Sequence, residues 1–292
     1  MINPLKKEIN FTSNRRFGVE LEFTYPNNEE LYHIIYDNTN EPVIYTGWQH
    51  SIDNNEWICK TDSTCGYEIA SKVLQGIEGI YSLGKVIKVL FDNDVKYDES
   101  CGLHVHINIS DFNQNQFDIL CAWWIKAEHC ILSMLPSHRR NNPYCLALNN
   151  NVYIINMNEN GNYNMRQLRQ SLFERRSTLN TRLFNNNQSE SSRVEFRLAE
   201  MSLDIEYIKN WCRLLIWFVD ICKVMPPPTN LKWFTPKEFV RFMGLMDDNR
   251  DVIIKSFSKT ISSMRSQLIS SMKHWREINV DKTNSEINEL DG

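Results

Sequence analysis

Three short segments constrain this chain more than any other feature: "RFGVELEFTY" (16–25), "GLHVHINIS" (102–110) and "SRVEFRLAE" (192–200). Each alternates apolar and polar residues with a period of two, the pattern of a strand with one buried face. On the first, Glu20 and Glu22 share a face, opposite Val19, Leu21 and Phe23. On the second, His104 and His106 share a face. On the third, Arg193, Glu195 and Arg197 stand together with Val194, Phe196 and Leu198 behind them. A solvated sheet face explains any one of these pairs. Glutamate is a poor strand former, however, so each pair needs a reason. Three such strands together favour a sheet whose polar face gathers metal- and anion-binding groups.

The rest of the chain reads as strands interleaved with long helices, which makes the fold class α+β. Shorter strands are expected at "PVIYTG" (42–47), "EWICKTD" (56–62) and "GYEIAS" (66–71). Helices are expected over 71–93, over 113–135 with Pro136 as the stop, over 164–180, and over 203–225, ended by the Pro226–Pro228 run. Thr235 is the expected N-cap of a further helix, with Pro236 at its first position and Glu238 three residues on. A final helix is expected over 250–278 and a frayed tail over 281–292. Asn-rich stretches at 149–164 and 185–188 read as loops.

Composition narrows the function classes. The 292 residues carry 32 basic and 36 acidic side chains, a net charge of −4, so no global polycation points to bulk nucleic-acid binding. The N-terminal "MINPLKKEINFTSNRRFG" has no apolar signal-peptide core, and the most apolar run, "LLIWFVDICKVM", is broken by Asp220. No membrane partner is expected. Eight cysteines are scattered with no CxxC pair, which implies reduced thiols and a cytoplasmic location rather than a disulfide framework or a zinc finger.

Which ion would the polar face hold? His-x-His alone suggests zinc, which wants three or four nitrogen or sulfur ligands. The candidates here are mostly carboxylates, namely Glu20, Glu22, Glu195 and Glu68, and oxygen ligands favour Mg2+ or Mn2+ carrying a nucleotide phosphate. Between 139 and 197 there are nine arginines and no lysine. Arginine's planar fork grips carboxylate or phosphate two-pronged. Arg166, Arg169, Arg175 and Arg176 read as a helix surface, whereas Arg139, Arg193 and Arg197 read as anion-binding. No GxxxxGK[ST] or GxGxxG motif occurs, so a nucleotide would be held by metal and arginines.

In order along the chain, "FGVELEF", "DSTCGYEIAS", "CGLHVHINIS", "HRRNNPYC" and "SRVEFRLAE" resemble the motifs of the amidoligase family, which belongs with the glutamine synthetase and glutamate–cysteine ligase superfamily. The resemblance covers about residues 16–222. It implies a glutamine synthetase-like curved antiparallel sheet forming a funnel with outer helices, a catalytic domain over 1–225, and a helical C-terminal extension over 226–292 packed on it. It implies Glu20, Glu22, Glu68, His104 and Glu195 as metal ligands and His106 and Arg197 as phosphate contacts, beside which Arg193, read above as anion-binding, is expected to contact the nucleotide. Arg197, Arg139 and His106 would act on the transferring phosphate or the substrate carboxylate. In glutamine synthetase a further glutamate completes the metal set; Glu78, inside an apparent helix, is left unassigned.

The activity so implied is ATP-dependent joining of a carboxylate and an amine through an acyl phosphate, with ATP and Mg2+ or Mn2+ as cofactors. The substrates would be small molecules or peptides. A modified-base acceptor and the oligomeric state stay open. One competing reading is a zinc or manganese hydrolase using His104 and His106, with His129 or His138 as the third nitrogen. Another is a non-catalytic nucleotide- or peptide-binding relative.

Overall fold

The computed structural model describes residues 13–25, 28–47, 55–140, 142–148, 175–185 and 189–243. The chain divides into two compact units: 1–110 with 183–185 and 189–216, and 111–182 with 186–188 and 217–292.

The first unit is built on strands β1 (Arg16–Phe23), β2 (Val43–Gly47), β3 (Trp57–Asp62), β4 (Gly66–Ala70), β5 (Leu74–Gln75), β6 (Gly102–Asn108) and β8 (Arg193–Glu200). Their spatial order is β2-β3-β4-β1-β6-β8, with β5 also pairing β1. Every pair is antiparallel except β2 and β3, which run parallel. That pair corrects the expected all-antiparallel sheet: the chain re-enters β3 in the direction of β2 after residues 48–56 instead of folding back as a hairpin.

The apolar alternation buries one side. Val19, Leu21 and Phe23, then Leu103, Val105 and Ile107, then Val194, Phe196 and Leu198 are all essentially inaccessible. Helix α1 (Asn28–Thr39) packs on β2 and β3 and against α2 (Gly76–Asp92). Helix α2 turns Ile80, Leu83, Val86, Ile87 and Leu90 into the core at three- and four-residue spacing. The expected helix over 71–93 thus begins at Gly76, because Leu74 and Gln75 pair with Phe17 and Arg16 first. Helix α1 itself had no counterpart among the expected elements. Across His104 the register slips: Leu103 faces Ala199 and Val105 faces Phe196, so β8 carries one extra residue there. Such bulges re-aim side chains beside functional sites.

The second unit holds α3 (Gln114–Ser133), α4 (Ser137–Arg140), the two-residue strand β7 (Leu179–Asn180) and α6 (Pro236–Phe242). The last turns of α5 (Ile205–Val224), from Trp217 on, belong here, and its first turns to the other unit. Asn113 and Gln116 form a reciprocal capping box at the start of α3, and Thr235 and Glu238 do the same for α6, with Pro236 in the first turn as expected. The core is aromatic. Trp124 meets Phe218 edge-on at 5.6 Å, Trp123 lies 4.6 Å from Phe242, and Trp217 Nε1 donates to the Met243 carbonyl at 2.9 Å.

The expected helix over 164–180 is corrected at its end. Leu146 N donates to the Arg176 carbonyl and Thr178 N to the Leu146 carbonyl, so this segment pairs as extended chain into β7. Residues 149–174 lie outside the described residues, as do Arg166 and Arg169 and the helix and tail expected over 250–292. No described helix is long and apolar enough to cross a membrane.

Candidate active site

The register decides which polar residues meet. Glu20 lies opposite His104 across β1 and β6, and Gly18 lies opposite His106. His106 in turn faces Glu195 on β8. On the other flank Glu22 faces Glu68, which faces Lys60 on β3. One side of the sheet therefore carries a continuous band of acids and bases, of which Glu22, Glu68, His104 and Glu195 are buried and Glu20 half-buried.

Glu20, His104 and Glu195 offer ligand atoms that all lie within 4.8 Å of one another. His104 Nδ1 is 3.1 Å from Glu20 Oε2 and 3.6 Å from Glu195 Oε1, while its Nε2 is 3.5 Å from Glu22 Oε1. Two carboxylates and one imidazole from three neighbouring strands suit a divalent cation with mainly oxygen ligands. Glu22 is anchored by the Gly102 amide, which donates to its Oε2 at 2.6 Å. His106 stands beside the group, its Nε2 3.0 Å from Glu20 Oε1 and its buried Nδ1 without a hydrogen-bond partner among the described residues. Glu68 joins neither of the ligand groupings; Lys60 Nζ sits 2.7 Å from its Oε1.

The electrostatics follow from this crowding. Burial raises the Glu20 carboxyl, but His106 and His104 outweigh it and hold Glu20 well below the usual carboxylate range. Burial lowers His106, and Glu20 more than restores it, so its imidazole is pushed up. Glu195, desolvated but faced by His106, His104 and Arg197, is held down. Glu68 goes the other way: burial and the nearby Glu20 charge push it well above the usual range, against the pull of Lys60. Arg197 donates to Glu195 and is held charged by it. Such opposed shifts among neighbouring groups are characteristic of functional sites.

Glu20 and His106 also line a cavity of about 640 Å3. Its walls carry four cationic side chains, Arg16, Lys60, Lys72 and Arg193, and two acids, Glu20 and Glu190. Gly18 lines it as well. The cavity is sized for a small-molecule ligand and its charge favours an anionic one.

Of the residues singled out in the sequence, Glu20, Glu22, Glu68, His104, His106, Arg193, Glu195 and Arg197 all belong to the first unit. Arg193 lines the cavity and donates to the Ser191 carbonyl at 3.1 Å. Arg139 is buried on α4 in the second unit. His129, in the same unit, stacks on Trp233 at 5.1 Å between ring centres. Neither candidate ligand group among the described residues has more than one imidazole, so the three-nitrogen centre of a zinc hydrolase is not found among them. Lys60, Lys72, Arg16 and Ser71 went unnoticed in the sequence.

A family model described as "Putative amidoligase enzyme" matches residues 13–219, more than half of the chain. No curated protein matches it.

Proposed function

We propose, from the premise that this chain belongs to the amidoligase family, that it is an ATP-dependent ligase joining a carboxylate to an amine through an acyl phosphate. One observation carries the reading. Three cation-binding side chains converge from adjacent strands, and one of them, Glu20, is also in the wall of a cavity lined by Arg16, Lys60, Lys72 and Arg193. A polyanion and its counter-ion need that combination.

Glu20, His104 and Glu195 would hold Mg2+ or Mn2+, with Glu22 alongside. Bound there, the ion would offset negative charge on the phosphates. The protein's own groups do the rest. Arg197, fixed by Glu195, supplies a permanent positive charge beside the donors. His106, protonated beside Glu20, can donate a hydrogen bond to a phosphate or acyl-phosphate oxygen. Arg193 faces the same cavity as a second anion contact. Arg139, by the family resemblance, would contact phosphate or the substrate carboxylate.

In the first step a carboxylate oxygen attacks the γ-phosphorus of ATP and the bond to ADP breaks. In the second, the amine nitrogen attacks the acyl carbon, inorganic phosphate leaves, and the nitrogen loses its proton. The carboxylate and amine come from an amino acid, a peptide or a modified macromolecule. Purified protein given Mg-ATP should release ADP and phosphate only when a carboxylate and an amine are both supplied. Release of AMP and pyrophosphate would mean adenylation and would overturn the mechanism.

A further inference from the structure

A second group of ligand atoms lies at one end of the first unit's sheet. Asp62 ends β3, Cys65 sits in the turn to β4, Glu22 is near the end of β1, and Cys101 immediately precedes β6. Because β3, β4, β1 and β6 are consecutive antiparallel neighbours, these four positions fall at the same sheet end. Glu22, Asp62 and Cys65 offer two oxygens and a sulfur within 4.8 Å of one another. The Cys101 thiol interacts with the Cys65 thiol, which brings a second sulfur beside the group. Glu22, Cys65 and Cys101 are buried, and Asp62 is partly accessible, leaving a way in.

Local turn chemistry explains only part of this. Asp62 Oδ1 accepts from Thr64 N at 2.7 Å and Cys65 N at 3.1 Å, which shapes the turn, and Gly66 follows at φ +103°. It does not explain why a second thiol and a second carboxylate, from two further strands, are brought to the same place.

We propose that Asp62, Cys65 and Cys101, completed by Glu22, bind one structural zinc ion. Two thiolates and two carboxylates would supply four ligands of types that zinc accepts. The sulfur ligands set this site apart from the oxygen-rich group of Glu20, His104 and Glu195, because thiolate selects a softer ion than Mg2+. On binding, each thiol gives up its proton to solvent and no redox change occurs. The ion would tie the β3–β4 turn to β1 and β6. It would also hold Glu22, whose other neighbours are the Gly102 amide and His104. The inference does not rest on the ligase reading.

The test uses the full chain, kept reduced. Dialysed wild-type protein should retain about one equivalent of zinc. Co2+ added in its place should give thiolate-to-cobalt charge-transfer absorption in the near ultraviolet. Cys65→Ser and Cys101→Ser should each lose the zinc and the band, and Glu20→Gln should keep both. Added zinc should raise the melting temperature of the wild type but not of Cys65→Ser. Should a serine variant fail to fold, Asp62→Asn and the wild-type cobalt spectrum decide. No charge-transfer band in reduced wild type, or a band that survives in both cysteine variants, would overturn the proposal. Absence of ligase turnover would leave these readouts untouched.

Discussion

Glu20 Oε1 lies 3.0 Å from His106 Nε2, although the cross-strand partner of Glu20 is His104 and that of His106 is Gly18. One carboxylate thus engages both histidines of the His-x-His pair, through different oxygens. The two imidazoles share a face and an acid, yet only His104 belongs to the three-residue ligand group.

That division gives the first expectation. His104→Ala should weaken Mg2+ or Mn2+ binding and turnover together. His106→Ala should cut turnover, by about 100-fold for a lost general-acid or charge-stabilising contact, while changing metal affinity little. Calorimetric titration of both variants checks it. Equal loss of affinity in the two would mean that they chelate one ion jointly.

The same contact sets a pH dependence for the metal-free protein. Glu20 is held low, so its contribution is present above the ordinary carboxylate value of 4.5 and is lost as pH falls through its folded value. His106 is held high, so its contribution is full below the ordinary imidazole value of 6.5 and is lost as pH rises through its folded value. The stability difference between wild type and His106→Ala should peak between those two ordinary values. Urea melts across pH measure it, and a flat difference would show that the pair is not charged.

Glu20→Gln and Glu195→Gln should each lower turnover by at least about 100-fold, since loss even of groups that merely support a metal ligand costs 10–100-fold. Glu22→Gln should also abolish turnover. Their stabilities should differ. Glu20 is paired with two imidazoles and Glu195 with Arg197, so removing either charge should destabilise the metal-free fold by about 1–3 kcal/mol. Thermal melts beside activity assays separate the two effects. Full activity of Glu22→Gln would place the working face of β1 elsewhere.

Lys60→Met tests the Glu68 environment. Removing one partner of a buried ion pair ordinarily costs about 3–5 kcal/mol, but burial and Glu20 already push Glu68 toward its neutral form. A raised carboxyl means that the folded state holds a proton the unfolded state has released, so stability falls as pH rises from 4.5 through the folded value. Lys60→Met should therefore cost little at acidic pH and progressively more toward neutrality, as urea midpoints across pH would show.

The part of the site visible in the sequence is the part written along single strands. Period-two alternation exposes Glu20 with Glu22, His104 with His106, and Glu195 with its arginines, because strand geometry alone puts each pair on one face. What alternation cannot show is register. That Lys60 meets Glu68, or that Cys65 meets Cys101, depends on how four strands are aligned, which hydrophobic pattern specifies only modulo two. Helix α1 was overlooked although Leu31, Ile35 and Thr39 bury at four-residue spacing, because two apolar anchors in an Asn- and Glu-rich stretch make a weak period. Over Arg176–Thr178 a helical pattern lost to backbone pairing with Leu146, a long-range contact that no local window contains.

Gly18 offers the sharpest test of the cavity. It sits on the working face of β1, two residues before Glu20, opposite His106 and in the cavity wall. A Cβ there would lie 3.3 Å from Ser71 Oγ and 4.0 Å from His106 Cβ. Ser71 is not free to move aside, because its Oγ accepts from Val19 N at 2.9 Å and leaving would strand that amide. Gly18→Ala should be tolerated with a modest loss. The larger Gly18→Val must project into the cavity, and overpacking of this kind costs about 1–3 kcal/mol. If the cavity takes the nucleotide or the acceptor, that cost falls on binding, and KM should rise about 10-fold or more while Mg2+ affinity at Glu20, His104 and Glu195 stays near wild type. Steady-state kinetics with a parallel metal titration reads both numbers, and an unchanged KM in a folded Gly18→Val protein would show that substrate binds elsewhere.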